Sequence, residues 1–102
     1  MKLPGSLQQL MQQAQQMQES MQQEIDRIQV ESSVGGGTVK IRMDGKKNLL
    51  DIQISPEVAG EVEMLRELIL SAAREASTRV DEAIKNRIGS QVEGLGLPSG
   101  VF

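Results

Sequence analysis

Between Gly35 and Ile54 two runs of alternating residues face each other across a turn, and this stretch limits what the chain can become. In the first run Val39, Ile41 and Met43 alternate with Thr38, Lys40 and Arg42, so a strand built from it has one apolar and one basic face. Asp44-Gly45 then signals a turn, since Gly tolerates positive φ and an Asp carboxylate can bond the local backbone. Past Lys46, Lys47 and Asn48 the alternation resumes, with Leu50, Ile52 and Ile54 on one face and Leu49, Asp51 and Gln53 on the other. The pattern predicts an antiparallel hairpin whose apolar face needs a cover.

Helix-period sequence on both sides can supply it. Pro4-Gly5 breaks any earlier structure, and Ser6 with Gln9 has capping-box spacing. From there Leu7, Leu10, Met11, Ala14, Met17, Met21, Ile25 and Ile28 recur at steps of three and four, with a heptad series at 7, 14, 21 and 28. This predicts a helix over about 6–26. Nine glutamines between Gln8 and Gln23 occupy its other faces, which gives a neutral, soluble helix surface. The methionines on the stripe suit adaptable packing against another helix. Arg27-Ile28-Gln29-Val30-Glu31 changes to a period of two, so a first strand is expected over about 27–33, followed by a flexible connection from Ser32 to Gly37. The hairpin strands are expected over about 37–44 and 48–54. The three consecutive glycines are no phosphate loop, because no Gly-Lys-Ser/Thr follows them; they suit a turn that lets backbones approach closely.

Ser55-Pro56-Glu57 opens the C-terminal half as N-cap, N1 and first-turn anion. Gly60 divides a short turn from a long helix, and the helical region is expected over about 56–90. Leu65, Ile69, Ala72, Ala76, Val80, Ala83 and Ile84 form its stripe, and the alanines let another element come close. Arg66, Arg74, Arg79, Lys85 and Arg87 alternate with acids and do not wind into a single basic stripe; most read as solvated pairs along the helix. From Gly89 the periodicity fades, and residues 93–102 read as a flexible tail whose Leu95, Leu97, Val101 and Phe102 could clip onto a groove or a protein partner.

Composition enters through what it excludes. The 102 residues allow one domain, here 1–92, and a core without Trp or Tyr must come from Leu, Ile, Val, Met and Ala. Long helices beside a small sheet bury little per residue, so a homodimer that pools apolar faces is expected. Without His, Cys or Tyr the usual general bases and nucleophiles are missing, and no residues have metal-ligand spacing, so no enzyme, cofactor or small-molecule substrate is expected. No signal-peptide core and no run of about 20 apolar residues is present, so neither secretion nor membrane insertion is expected. The absence of Cys fits a reducing cytoplasm. Net charge is −3, yet Lys40, Arg42, Lys46 and Lys47 against Asp44 make 38–47 a local +3, so the remainder carries −6.

Taken together, Leu10-Met-Gln-Gln-Ala-Gln-Gln-Met-Gln-Glu19, Gly37-Thr-Val-Lys-Ile41 with Gly45, Ile52-Gln-Ile-Ser-Pro56, Glu63-Met-Leu-Arg-Glu-Leu-Ile69 with Ala72-Ala73, and Leu97-Pro-Ser-Gly100 resemble the YbaB/EbfC family of nucleoid-associated proteins. The resemblance covers nearly the whole chain. It implies an α+β fold: a long N-terminal helix, a three-stranded antiparallel sheet and C-terminal helices, in a tweezer-like homodimer joined through the sheets. It also implies a cytoplasmic, nucleoid-associated protein that binds duplex DNA with little sequence preference and affects nucleoid organisation and gene expression. The candidate contacts to phosphate are Lys40, Arg42, Lys46 and Lys47 on the hairpin and Arg74, Arg79, Lys85 and Arg87 on the helical arm. The helices depart from the family in being glutamine-rich and acidic, which points to modest affinity. The other reading is a protein-interaction adaptor that uses the Met-rich stripe or the apolar tail, with DNA binding incidental.

Overall fold

A long helix, a three-stranded sheet, one helical turn and a second long helix follow one another along the chain. The computed structural model describes the backbone of residues 5–94 and the side chains of 5–89. The elements are α1 (Gly5–Asp26), β1 (Gln29–Val34), β2 (Val39–Asp44), β3 (Leu49–Ile54), α2 (Pro56–Ala59) and α3 (Val62–Gly94). All strand pairs are antiparallel in the order β1-β2-β3, so β2 is central.

Register fixes which side chains share a face. Val39 lies between Val34 and Ile54, and Ile41 lies between Ser32 and Ile52. The inner face therefore carries Val30, Ser32 and Val34 of β1, Val39, Ile41 and Met43 of β2, and Ile52 and Ile54 of β3. Helix α3 lies over this face with Ala72, Ala76 and Val80 fully buried, and Val58 of α2 joins the same core. Small side chains let the helix sit low on the sheet. One polar group is enclosed there: Ser32 is 1% exposed, and its hydroxyl donates to the carbonyl of Ala72 at 2.7 Å.

α3 crosses β1 and β2 and leaves β3 bare. Every residue of β3 is exposed, and Leu49, Leu50, Ile52 and Ile54 are each 39–52% open although their strand belongs to the core sheet. At its far end α3 meets the last turns of α1 where Arg87 donates to Glu24 at 2.9 Å. The two helices form an arm, and the molecule measures 67 × 26 × 17 Å. Its radius of gyration of 19.7 Å contrasts with about 13 Å for a compact chain of this length.

Several local expectations shift. Helix α1 begins at Gly5, so Ser6 lies within its first turn rather than capping it. Ser32 and Ser33 belong to β1, and only Gly35–Gly37 form the connection, a tight 3-10 turn with φ of 61°, 69° and 90°. A Cβ on Gly35 would lie 2.9 Å from Leu68 and 2.5 Å from Thr38 Oγ1, so close approach is the reason for that glycine. Ser55 caps α2 as expected, its hydroxyl accepting from the Glu57 amide at 3.4 Å, and Gly60 separates α2 from α3. Helix α3 runs through Gly89 to Gly94, although a glycine inside a helix carries a penalty of roughly 1 kcal/mol. Of the predicted tail, residues 93 and 94 belong to α3 and residues 95–102 lie outside the described residues.

Candidate nucleic-acid interface

The turn between β2 and β3 is built around one carboxylate. Asp44 accepts from the amides of Lys46 (2.9 Å) and Asn48 (2.8 Å) and from Asn48 Nδ2 (3.1 Å). These hydrogen bonds, led by the Asn48 amide, hold the Asp44 carboxyl below its ordinary pKa. Positive φ falls on Lys47, at 64°, and not on Gly45. Gly45 is buried for another reason: a Cβ there would collide with the carbonyl oxygen of Ile25 at the end of α1. The turn is thereby wedged against α1, and its two lysines project from a fixed base.

Both lysines meet carboxylates of other elements. Lys46 Nζ lies 3.5 Å from Asp26 of α1, and Lys47 Nζ lies 3.0 Å from Asp81 of α3. On the arm, Arg87 pairs with Glu24 and Arg79 with Glu75 at 2.8 Å. All these groups are a quarter to two-thirds exposed, so each pair contributes under about 1 kcal/mol and can be exchanged for a phosphate. Four of the eight candidate cations are therefore already partnered within the chain. Arg79–Glu75 is an i,i+4 pair of the kind the helix pattern suggests, but the pairs between elements escape sequence patterning, since Glu24 and Arg87 are 63 residues apart and no local spacing signals them.

On the outer face of the sheet, register sets Arg42 between Glu31 and Asp51, and Lys40 between Ser33 and Gln53. Cross-strand neighbours of opposite sign offset Arg42, so this face is nearly neutral. The hairpin's local +3 is thus divided: Lys40 and Arg42 stand beside acids or amides, and the two tip lysines reach away to the helices.

Arg74 and Lys85 differ. Both are exposed on α3, and among the described residues neither has a carboxylate within 4.0 Å. Eleven residues at 100° per residue bring them back to within about 20° of one line, about 16 Å apart, on the side away from Ala72 and Ala76. Asp81 lies on the same side between them, and Lys47 neutralises it. The hairpin tip and the arm are thereby joined into one surface, with Arg74, Lys47 and Lys85 along it and Thr78 beside them. Such a row can contact successive phosphates of a duplex, one charge at a time, without reading bases. Among the described residues no group of three or more His, Cys, Asp or Glu is placed to hold a metal ion.

Comparison with known proteins gives the same direction. A nucleoid-associated protein of Acidobacterium capsulatum is 42% identical, covering 97% of this chain and 98% of the relative. Others from Koribacter versatilis and Xylella fastidiosa are each 40% identical over more than nine-tenths of both chains. The crystal structure of an uncharacterized Helicobacter pylori protein superposes with a TM-score of 0.73 over 89% of this chain and 99% of that one, at 22% identity, and so shares the fold. The sequence model of the YbaB/EbfC DNA-binding family matches residues 3–95, from the first helix to the end of α3. This chain belongs to the YbaB/EbfC DNA-binding family.

Proposed function

We propose that this protein is a non-enzymatic, nucleoid-associated homodimer that binds duplex DNA through its arms by phosphate contacts with little sequence preference. In that role it affects nucleoid organisation and gene expression. The row of Arg74, Lys47 and Lys85 carries the reading, since it holds the two arm cations without internal partners. Arg79 and Arg87 lie on other faces of α3, and Lys46 faces Asp26 of α1; their exposed ion pairs can be exchanged for phosphate where a duplex reaches them. Lys40 and Arg42 contribute less because the outer sheet face is nearly neutral. The homodimer reading rests on exposed apolar surface: four large side chains stand open on β3, and on α3 Val62, 71% exposed, lines a groove with Leu65, Arg66, Ile69 and Leu70. A second copy joined there would pool two weak cores and set two arms on one body.

The test is fluorescence anisotropy of a labelled random duplex over a salt series. Affinity should fall linearly in log–log form, with a slope of about 0.9 per phosphate neutralised. Arg74→Glu with Lys85→Glu should reduce that slope by about 4, two contacts in each of two protomers, and by the same amount on every duplex sequence. An unchanged slope there, with a reduced one for Lys40→Glu and Arg42→Glu, would move the interface to the sheet.

A further inference from the structure

We propose that Lys47 is a positioning residue of the duplex interface: by taking up Asp81 it leaves Lys85 free for phosphate. This deepens the DNA-binding reading above and rests on it, although the contact itself needs no duplex. Along α3, Asp81 precedes Lys85 by four residues and Glu82 precedes it by three. Both are ordinary separations for an ion pair on a helix, with the acid on the N-terminal side. Arg74 has no such neighbour, since Leu70, Ser71, Ser77 and Thr78 stand three and four residues away. Helical spacing alone would therefore pair Lys85 and leave Arg74 free.

The folded chain pairs Asp81 differently. Its carboxylate lies 3.0 Å from Lys47 Nζ, and among the described residues Lys85 has no carboxylate within 4.0 Å. A lysine from the hairpin tip has displaced the helix's own. Charge along the row shows what that achieves. Asp81 stands between Arg74, about 10 Å away along the helix axis, and Lys85, about 6 Å away. With Asp81 cancelled by Lys47, two cations stand clear. With Asp81 bare, a negative charge sits between them, holding Lys85 and repelling the phosphates that Arg74 would meet. Lys47 is as open to exchange as the other exposed pairs, but leaving Asp81 returns that charge to the row, so an exchange here gives back what it gains.

The turn is built to aim this side chain. Lys47 is the only residue other than glycine with positive φ among the described residues, at 64°. That left-handed conformation suits Gly or Asn, and the turn contains both, at Gly45 and Asn48, yet the lysine occupies it. The Lys47 amide donates to the Asp44 carbonyl at 3.0 Å, and the Asp44 carboxylate holds the amides of Lys46 and Asn48 on either side. A long side chain thus leaves a fixed main chain and reaches Asp81. Backbone strain at the very residue that makes the bridge is strain kept for a contact. Lys46, its neighbour, goes to Asp26 of α1 instead.

The lysine Nζ resonances of the isotope-labelled full chain test this without DNA. In the parent, Asp81→Asn should displace the Lys47 signal and leave the Lys85 signal in place. In Lys47→Gln the Lys85 signal should move, and adding Asp81→Asn should return it. A Lys85 signal that ignores Lys47→Gln, or that moves with Asp81→Asn or Glu82→Gln in the parent, overturns the proposal. The salt series on a labelled duplex then reads the consequence. Lys85→Gln should lower the slope by about 2 in the parent, one contact in each of two protomers, and leave it nearly unchanged in Lys47→Gln, where Lys85 is already held. An equal drop in both backgrounds would make Lys47 a phosphate contact in its own right, and the proposal falls. Absence of salt-dependent binding in the parent would sink the DNA reading and the interface role with it, and the resonances separate that failure from a failure of the Lys47–Asp81 contact.

Discussion

At the residue scale, Gly45 and Asp44 sit side by side and are constrained by different partners. Gly45 keeps ordinary negative φ, so its own backbone would accept an alanine; the carbonyl of Ile25 would not. The obstacle is main chain rather than a mobile side-chain tip, so Gly45→Ala must push the end of α1 away from the turn. It should cost about 2 kcal/mol, read as a lower urea midpoint at unchanged slope. Asp44 is exposed yet tied to three donors, and its folded pKa lies below the ordinary 3.8. A depressed carboxylate pKa adds stability that is fully present above the unfolded value and is lost as pH falls through the folded one. Thermal unfolding followed from neutral into acid should show that loss in the parent and a flatter profile in Asp44→Asn. The turn itself could be read from Asp44-Gly45, but the glycine's reason could not, since it lies twenty residues away in a helix end.

At the scale of elements, alternation and helical period were enough to place the strands, the long helices, the Ser55 cap and the break at Gly60. What they could not carry was the crossing of α3 over the sheet. Leu50, Ile52 and Ile54 read as a core face, and by register Ile52 and Ile54 share one with Ile41 and Val39, while a bulge leaves Leu50 out of the ladder; all three are bare because α3 covers two strands of three. Period also cannot tell a serine at a strand end from one that ties the strand to a helix, so Ser32 fell in the overlap of the expected strand and the expected connection, and its burial against Ala72 was not legible. The small side chains at 72 and 76 decide how closely α3 lies on β1 and β2. Ala76→Leu adds volume where none is free and should cost about 2 kcal/mol in a denaturant titration, with the helical circular dichroism signal retained.

For the whole molecule, elongation and the bare strand belong together: a chain stretched to 67 Å has too few neighbours to cover every apolar face it makes. Ile52→Glu places a charge in the middle of the uncovered strand. In the homodimer proposed above, it should leave the monomer folded, halve the mass measured by light scattering after size exclusion, and weaken DNA binding because the two arms no longer act as one body. A variant that keeps the dimer mass would place the interface elsewhere. The eight candidate cations could be named from sequence, but not which of them are already occupied, since Lys47–Asp81 and Arg87–Glu24 are made only when the arm closes on the hairpin. Those internal pairs have a kinetic consequence. A cation that leaves a carboxylate for a phosphate gains little by the exchange, and a small gain per contact appears chiefly as fast departure. If these cations meet phosphate as proposed above, machinery travelling along the duplex would meet a covering that steps off and rebinds behind it, not a barricade.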